Sequence, residues 1–273
     1  MKLGTHRLRS RSPMTTSHSD AWTERVVLDK GTIQLIDVMP HPSTGVSADM
    51  AVINAARVSF LGESKGDAAD RKLLRYLIRN RHTSPFEQVV FKFRVRAPLV
   101  TWWQWVRHRT WSFNFQSGRY TEFEDNDFYM PCEWRKQSAS NKQASDGLLS
   151  EEVSRELRYF LDVHRARSYH FYEEALKLGV SREMARLFLP AFGVYYTAVA
   201  TIDAHKLLGF LRLRDHLPAP FAQRIGADRI RRARLAEEAA EHRQPDHHPA
   251  QQRDQRRVLL RLVAVLIRCK VPA

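Results

Sequence analysis

Ten residues, "VVFKFRVRAP", constrain the fold of this chain more than any other stretch. Val89, Phe91, Phe93 and Val95 alternate with Lys92, Arg94 and Arg96. Successive side chains of a strand point to opposite faces, so this period gives one apolar face for a core and one cationic face. A helix would scatter the same residues around its circumference. The stretch is therefore predicted to be a strand. Pro98 sits well as the first residue of a helix running to about Arg107, with Leu99, Trp102, Trp103 and Val106 on a common side.

The neighbouring segments fit around that strand. "GTIQLIDVM" alternates as a second strand, and "SADMAVINAARVSF" places Met50, Ile53 and Val58 at helical spacing. "ADRKLLRYLIRN" reads as an amphipathic helix. Residues 136–148 form a polar loop or linker. Ser150 followed by Glu151 and Glu152 caps a long helix that ends at Gly179. Ser181 can cap "REMARLFL", which Pro190 stops. A mixed apolar stretch, "FGVYYTAVATI", leads to Asp203, a cap for "AHKLLGFLRLR". Strands and helices do not alternate regularly, so the expected class is α+β, an antiparallel sheet flanked by helices, rather than a doubly wound sheet. There is no internal repeat and no GxGxxG.

The chain has 273 residues, enough for one large or two small domains, and a formal net charge of +14. That charge favours phosphate-bearing partners without choosing among nucleotide, nucleic acid and anionic membrane. Two cysteines, Cys132 and Cys269, build no disulfide framework, and no Cys/His spacing resembles a metal site. A reducing cytoplasm is the expected location. The longest apolar run, Val258 to Ile267, is interrupted by Arg261 and falls short of the roughly 20 residues a membrane span needs. Residues 1–25, basic and Ser-rich, read as a flexible tail or as a stretch upstream of a start at Met14. Residues 26–216 read as the functional domain. From 217 to 273 a single aromatic residue, Phe221, remains among Arg, Ala, Gln and His, so this segment is read as a divergent end with little to build a core.

"WVRHRTWSFNFQSGRY", residues 105–120, interleaves cations and aromatic rings. Single-stranded nucleic acid is gripped that way, and so is a nucleotide held against a second flat ring. The stretch contains Arg107, His108, Arg109, Ser112, Asn114, Ser117 and Arg119, that is R-H-R-x-x-S-x-N-x-x-S-x-R, seven fixed positions in thirteen. This pattern resembles the signature of the flavin-dependent thymidylate synthases. The likeness extends over about residues 30–216 through "NAARVSF", "RHTSPFEQVVFKFRVRAP", "SREMARLFLP" and "FLRLR". Past that point only Ala222-Gln223 of the family's Ala-Gln-x-Glu-Ile pattern is kept.

The resemblance implies that family's fold, a homotetramer whose active sites are shared between subunits, and reductive methylation of dUMP to dTMP. It implies FAD as cofactor, with NADPH and 5,10-methylenetetrahydrofolate as co-substrates. For dUMP it points to Gln104, Arg107, Phe115, Gln116, Ser117, Gly118, Arg119, Arg186 and Arg214. Fixed guanidinium forks suit a phosphate dianion, Gly118 allows close backbone approach, and the family pattern supplies Arg186 from a neighbouring subunit. Arg214 is the expected catalytic cation, stabilising negative charge on the pyrimidine. For FAD the resemblance points to His82, Ser84, Glu87, Arg107, His108, Arg109 and Asn114, and to Asp203, His205 and Gly209, where the family often has Asn-x-Arg and a later Asn. That departure puts cofactor affinity in question.

Simpler readings stand beside these. Ser117 has no assignable acid–His pair and is read as a contact rather than a nucleophile. Cys132 is read as a partly buried structural thiol, and Trp102, Trp103 and Trp105 as core. Two alternative functions remain: a catalytically impaired homologue that still binds nucleotide, and a basic nucleic-acid-binding protein. The enzyme reading expects no nucleic acid, no membrane and no metal.

Overall fold

The computed structural model describes residues 24–140, 142 and 145–214, with Arg214 described by its backbone only. The expected tails lie outside these residues, except that Arg25 already belongs to the first strand. That strand, β1 (Arg25–Val27), is followed by β2 (Gly31–Met39), α1 (Ala48–Arg57), α2 (Asp67–Arg79), β3 (Val90–Pro98) and α3 (Leu99–Trp105). Then come β4 (Ser112–Phe115), β5 (Arg135–Gln137), β6 (Ser145–Leu148), α4 (Glu151–Lys177), α5 (Arg182–Ala185), β7 (Tyr195–Asp203) and α6 (Ala204–Arg214). The order β1-β2-β3-β7-β4 forms one sheet in which every pairing is antiparallel. The class is α+β, as the irregular order of elements predicted.

The alternation in β3 does what it foretells. Phe91, Phe93 and Val95 are buried, Arg94 is exposed, and β3 pairs with β2 on one side and β7 on the other. The covered face is roofed by α1, α2, α3 and α6, with Trp102, Trp105, Trp111 and Phe210 in the same core. Trp105 stacks between Trp102, at 5.1 Å, and Phe210, at 5.7 Å between centroids. Burying each aromatic of this size contributes roughly 1.5–3 kcal/mol. A second cluster, Phe123, Phe128, Tyr172, Ala175, Ala185, Leu189 and Val194, packs α4 and α5 against the loop after β4.

Several expectations are corrected. Pro98 is extended (φ −68°, ψ 151°), closing β3 and capping α3, which ends at Trp105 rather than near Arg107. Trp102 and Trp105 are core, but Trp103 is 60% exposed, because the short helix turns it away from the sheet. Within the cationic and aromatic stretch 105–120, Ser112 to Phe115 pair with β7 as β4. The polar segment 136–148 carries a hairpin, β5 with β6, joined by backbone pairing between two exposed strands. "YYTAVATI" belongs to strand β7, which lies between β3 and β4. Cys132 is exposed, not partly buried. The caps at Ser150, whose hydroxyl accepts from the Val153 amide at 3.3 Å, and at Asp203, which accepts from the Lys206 amide at 2.9 Å, form as read. Gly179, at φ +85°, follows α4 where a side chain would be strained.

Among the described residues no helix is long and apolar enough to cross a membrane, and no group of three or more His, Cys, Asp or Glu is arranged to hold a metal.

Candidate functional site

The thirteen-residue motif does not form one cluster. It divides into a cationic turn, a strand and a second turn. Arg107 to Arg109 follow the C-terminus of α3, where the Arg107 amide donates to the Gln104 carbonyl at 3.2 Å and the His108 amide to the Trp105 carbonyl at 2.9 Å. Positive charge is favoured at a helix C-terminus. β4 then carries the chain along β7, with Ser112 opposite Thr201 and Phe115 opposite Ala198. Phe113 and Phe115 face Trp102 at 5.9 and 4.8 Å, while Ser112 and Asn114 are exposed on the other face. Asn114 shares a cross-strand row with Val199, Arg94 and Gln34. Phe115 therefore offers a ligand only its main chain.

The second turn is rigid. The Gln116 amide donates to the Thr197 carbonyl at 2.8 Å, and its side chain donates to the Thr121 hydroxyl at 3.2 Å. The Ser117 carbonyl accepts from the amides of Tyr120 and Thr121 at 3.1 and 3.2 Å, and its hydroxyl from the Arg119 amide at 3.3 Å. Gly118 is buried against the Phe123 ring, and a Cβ there would lie 2.9 Å from Phe123 Cε2 and 3.5 Å from Arg186 Nη1. Arg186 thus lies beside the Ser117–Arg119 turn of its own chain. Its Nε donates to the Glu183 carbonyl at 3.1 Å, and it also hydrogen-bonds the Tyr196 hydroxyl. Burial pushes the Tyr196 hydroxyl pKa up, and the adjacent Arg186 charge opposes that shift. Arg119 is exposed and pairs with Glu183 at 3.2 Å. Two guanidinium groups, a hydroxyl and a close backbone approach converge here, a donor set that suits a phosphate.

The cationic turn belongs to the other end of the sheet. His108 packs edge-on against Phe210 of α6 at 4.9 Å, and α6 rests on the turn Ser84–Gln88. His205 Nδ1 lies 3.6 Å from Glu87 Oε1. Asp203, only 11% exposed, is neutralised by Lys206 at 2.6 Å, and this contact raises the Lys206 pKa. A Cβ on Gly209 would meet nothing within 4 Å, so its side of α6 is open. Arg107 and Arg109 are exposed. His82 stands apart from these contacts, its ring edge-on to Tyr76 at 5.7 Å. Arg214 closes α6. Tyr196, at the phosphate-type turn, and Asp203, at the cationic corner, bound β7 seven residues apart, roughly 23 Å along the strand.

A family model described as thymidylate synthase complementing protein matches residues 34–238. The chain belongs to this family. Flavin-dependent thymidylate synthase of Thermus thermophilus is 46% identical over 189 residues, covering 69% of this chain and 65% of the relative. That of Dictyostelium discoideum is 42% identical over 199 residues, covering 72% and 64%. The chain thus spans less than two thirds of the length of these relatives. A solved structure of the UMP/dUMP methylase PolB from Streptomyces cacaoi bound with 5-Br dUMP aligns with a TM-score of 0.60 at 34% identity, over 70% of this chain and 81% of that one. The same methylase bound with 5-Br UMP aligns at 0.58 and 36%, over 69% and 78%.

Of the residues to which the resemblance points, the structure brings together Ser117, Gly118, Arg119 and Arg186 on one side, and His108, Glu87 and His205 around α6 on the other. The resemblance passed over Phe123, Tyr196 and Glu183. Glu183, three residues before Arg186 in "SREMAR", had a helical-spacing signal. Phe123 and Tyr196 had none, since only tertiary packing sets them under Gly118.

Proposed function

We propose that this chain is a flavin-dependent thymidylate synthase. It converts dUMP to dTMP, with 5,10-methylenetetrahydrofolate as carbon donor and NADPH as reductant, and residues 26–216 are its catalytic unit. The observation that carries the reading is the division of the motif by β4. One end of the sheet offers a phosphate-type cradle, and the other a cationic corner with open helix surface. Lying toward opposite ends of β7, roughly 23 Å apart along the strand, they are too far apart for one mononucleotide, so a complete site needs the cradle of one subunit against the corner of another, as in a homotetramer.

Ser117, Gly118, Arg119 and Arg186 would hold the phosphate from one side. Gln104, Arg107 and the catalytic cation Arg214 would meet the base from the next subunit, where a fixed positive charge stabilises the pyrimidine anion. The exposed guanidinium groups of Arg107 and Arg109, with His108, Asn114, Ser84 and Glu87, fit an anionic flavin with a diphosphate, and His82, His205 and Gly209 would complete its surroundings. When bound there, the flavin supplies the hydride for reduction of the transferred one-carbon unit. The basic surface then steers free anions rather than nucleic acid or membrane, and the activity is placed in the cytoplasm.

Release of tritium from 5-labelled dUMP, in the presence of FAD, methylenetetrahydrofolate and NADPH, tests this reading. Turnover is expected, and its absence from a protein that binds both dUMP and FAD would refute it. A second reading, an impaired homologue, draws on Asp203, His205 and Gly209 standing where the family has other residues. It expects dUMP binding without retained flavin.

A further inference from the structure

Two arginines assigned to one phosphate both contact a third residue, Glu183, to which the sequence pattern assigns no role. Glu183 Oε2 lies 3.2 Å from Arg119 Nε. The backbone carbonyl of the same residue accepts a hydrogen bond from Arg186 Nε at 3.1 Å. An arginine carries five N–H donors, one of them on Nε. A partner at Nε, an ion pair for Arg119 and a hydrogen bond for Arg186, restrains each guanidinium and leaves the Nη1 and Nη2 edge for an end-on, bidentate anion.

The pair is open to water, Arg119 being 62% and Glu183 51% exposed at the side chain. An ion pair so exposed contributes little to the stability of a fold. Its consequence lies in the orientation of Arg119. An unheld arginine side chain samples many rotamers, and ordering it on binding reduces affinity. Arg186 obtains the same restraint from the Glu183 carbonyl, with the Tyr196 hydroxyl close enough for its charge to act on it.

We propose that Glu183 is a positioning residue for the nucleotide phosphate, its carboxylate and its carbonyl aiming the free ends of Arg119 and Arg186 at a common anion. This rests on the reading of Ser117–Arg119 and Arg186 as the phosphate site. The carboxylate sits near the dianion and repels it. The restraint on Arg119 outweighs that repulsion, and a neutral acceptor keeps the restraint.

The test is calorimetric titration of the purified, flavin-loaded protein with dUMP and, separately, with deoxyuridine, which lacks the phosphate. Glu183→Ala is expected to weaken dUMP binding about five- to tenfold, the cost of ordering one freed arginine side chain on binding. Glu183→Gln keeps an acceptor for Nε and is expected to bind dUMP within about twofold of wild type. Deoxyuridine binding is expected to be unchanged in both. Tighter dUMP binding by Glu183→Ala would overturn the proposal, making the carboxylate a competitor of the phosphate. An equal loss of deoxyuridine and dUMP binding would mark a merely structural residue and overturn it too. Wild-type protein that binds no dUMP would overturn both this inference and the function on which it rests, whereas failure of the glutamate variants alone leaves that function standing.

Discussion

Replacing Gly118 with alanine asks whether the second turn of the motif is held as tightly as its contacts imply. The added Cβ would lie 2.9 Å from Cε2 and 3.2 Å from Cζ of Phe123, where ordinary van der Waals contact begins at 3.4 Å. Something must therefore move by roughly half an ångström. The ring has little freedom. Phe123 is 2% exposed, its amide donates to the Tyr172 hydroxyl at 3.2 Å, and Tyr196 lies against it at 5.1 Å. The turn moves instead, carrying Ser117 and Arg119, and overpacking of this kind costs about 1–3 kcal/mol. Turning the Ser117 hydroxyl or the Arg119 guanidinium off the phosphate forfeits one charge-assisted hydrogen bond, so Gly118→Ala is expected to weaken dUMP binding about tenfold or more. The assay is a dUMP titration followed by calorimetry on Gly118→Ala, Phe123→Leu and the double variant. Leucine removes the atoms that clash, so the double variant is expected to recover most of the lost affinity, a non-additivity that reports direct contact. Wild-type affinity in Gly118→Ala would refute the argument, as would a double variant whose losses simply add.

Three further perturbations probe other parts of the molecule. Asp70, buried beside Arg57, has its pKa lowered below 3.8, chiefly by the Ser64 hydroxyl and then by Arg57, with burial opposing. Its contribution to stability is complete above the unfolded carboxylate pKa and is lost as pH falls through the lower folded value. Asp70→Asn should therefore flatten the acid limb of a melting-temperature profile, and an unchanged limb would count against the pair. Burial, with the charge of Asp29, pushes the Tyr129 hydroxyl up to about 12. The unfolded chain releases that proton near pH 10 and the folded one does not, so stability falls as pH rises above about 10. Tyr129→Phe should remove that loss, and an equally steep alkaline limb in the variant would contradict it. His205→Arg places a permanent cation on the Glu87 side of α6, where His205 Nδ1 now stands 3.6 Å from Glu87 Oε1 and where the family often carries an arginine. The variant should keep more FAD through gel filtration, and equal or lower retention would show that the departure at 205 does not limit cofactor affinity.

How much of this was legible in the sequence depends on where bulk sits. β3 announced itself because its buried positions are Phe and Val and its open ones Lys and Arg. β7 has the same alternation, with Ala198, Ala200 and Ile202 buried, yet it was not read as a strand. Alanine carries little hydrophobic signal, and the bulk opposite it is supplied by Phe115 and Phe113 of β4 and by the tryptophans of α3. The β5–β6 hairpin was hidden for another reason: both its strands are largely polar and exposed, so no face is marked for burial. Trp103 shows the limit of helical spacing on a helix of only seven residues, where one more turn decides which side faces the sheet.

The motif itself shows most clearly what a pattern of letters conceals. Its fixed Ser112 and Asn114 are two apart because they share the open face of a strand, and the Phe residues between and after them fill the core. The spacing is therefore β-sheet periodicity, not the contour of one binding loop. Arg107 and Arg119, both assigned to dUMP, do not meet within one chain, since β4 stands between them and pairs along β7. Arg186, expected from a different subunit, stands beside Gly118 in the same chain. In the assembly proposed above, whichever subunit lends Arg186 would then lend Ser117, Gly118 and Arg119 with it. The division of labour proposed between subunits would accordingly fall inside the motif, between its cationic turn and its second turn, which a single chain holds toward opposite ends of β7.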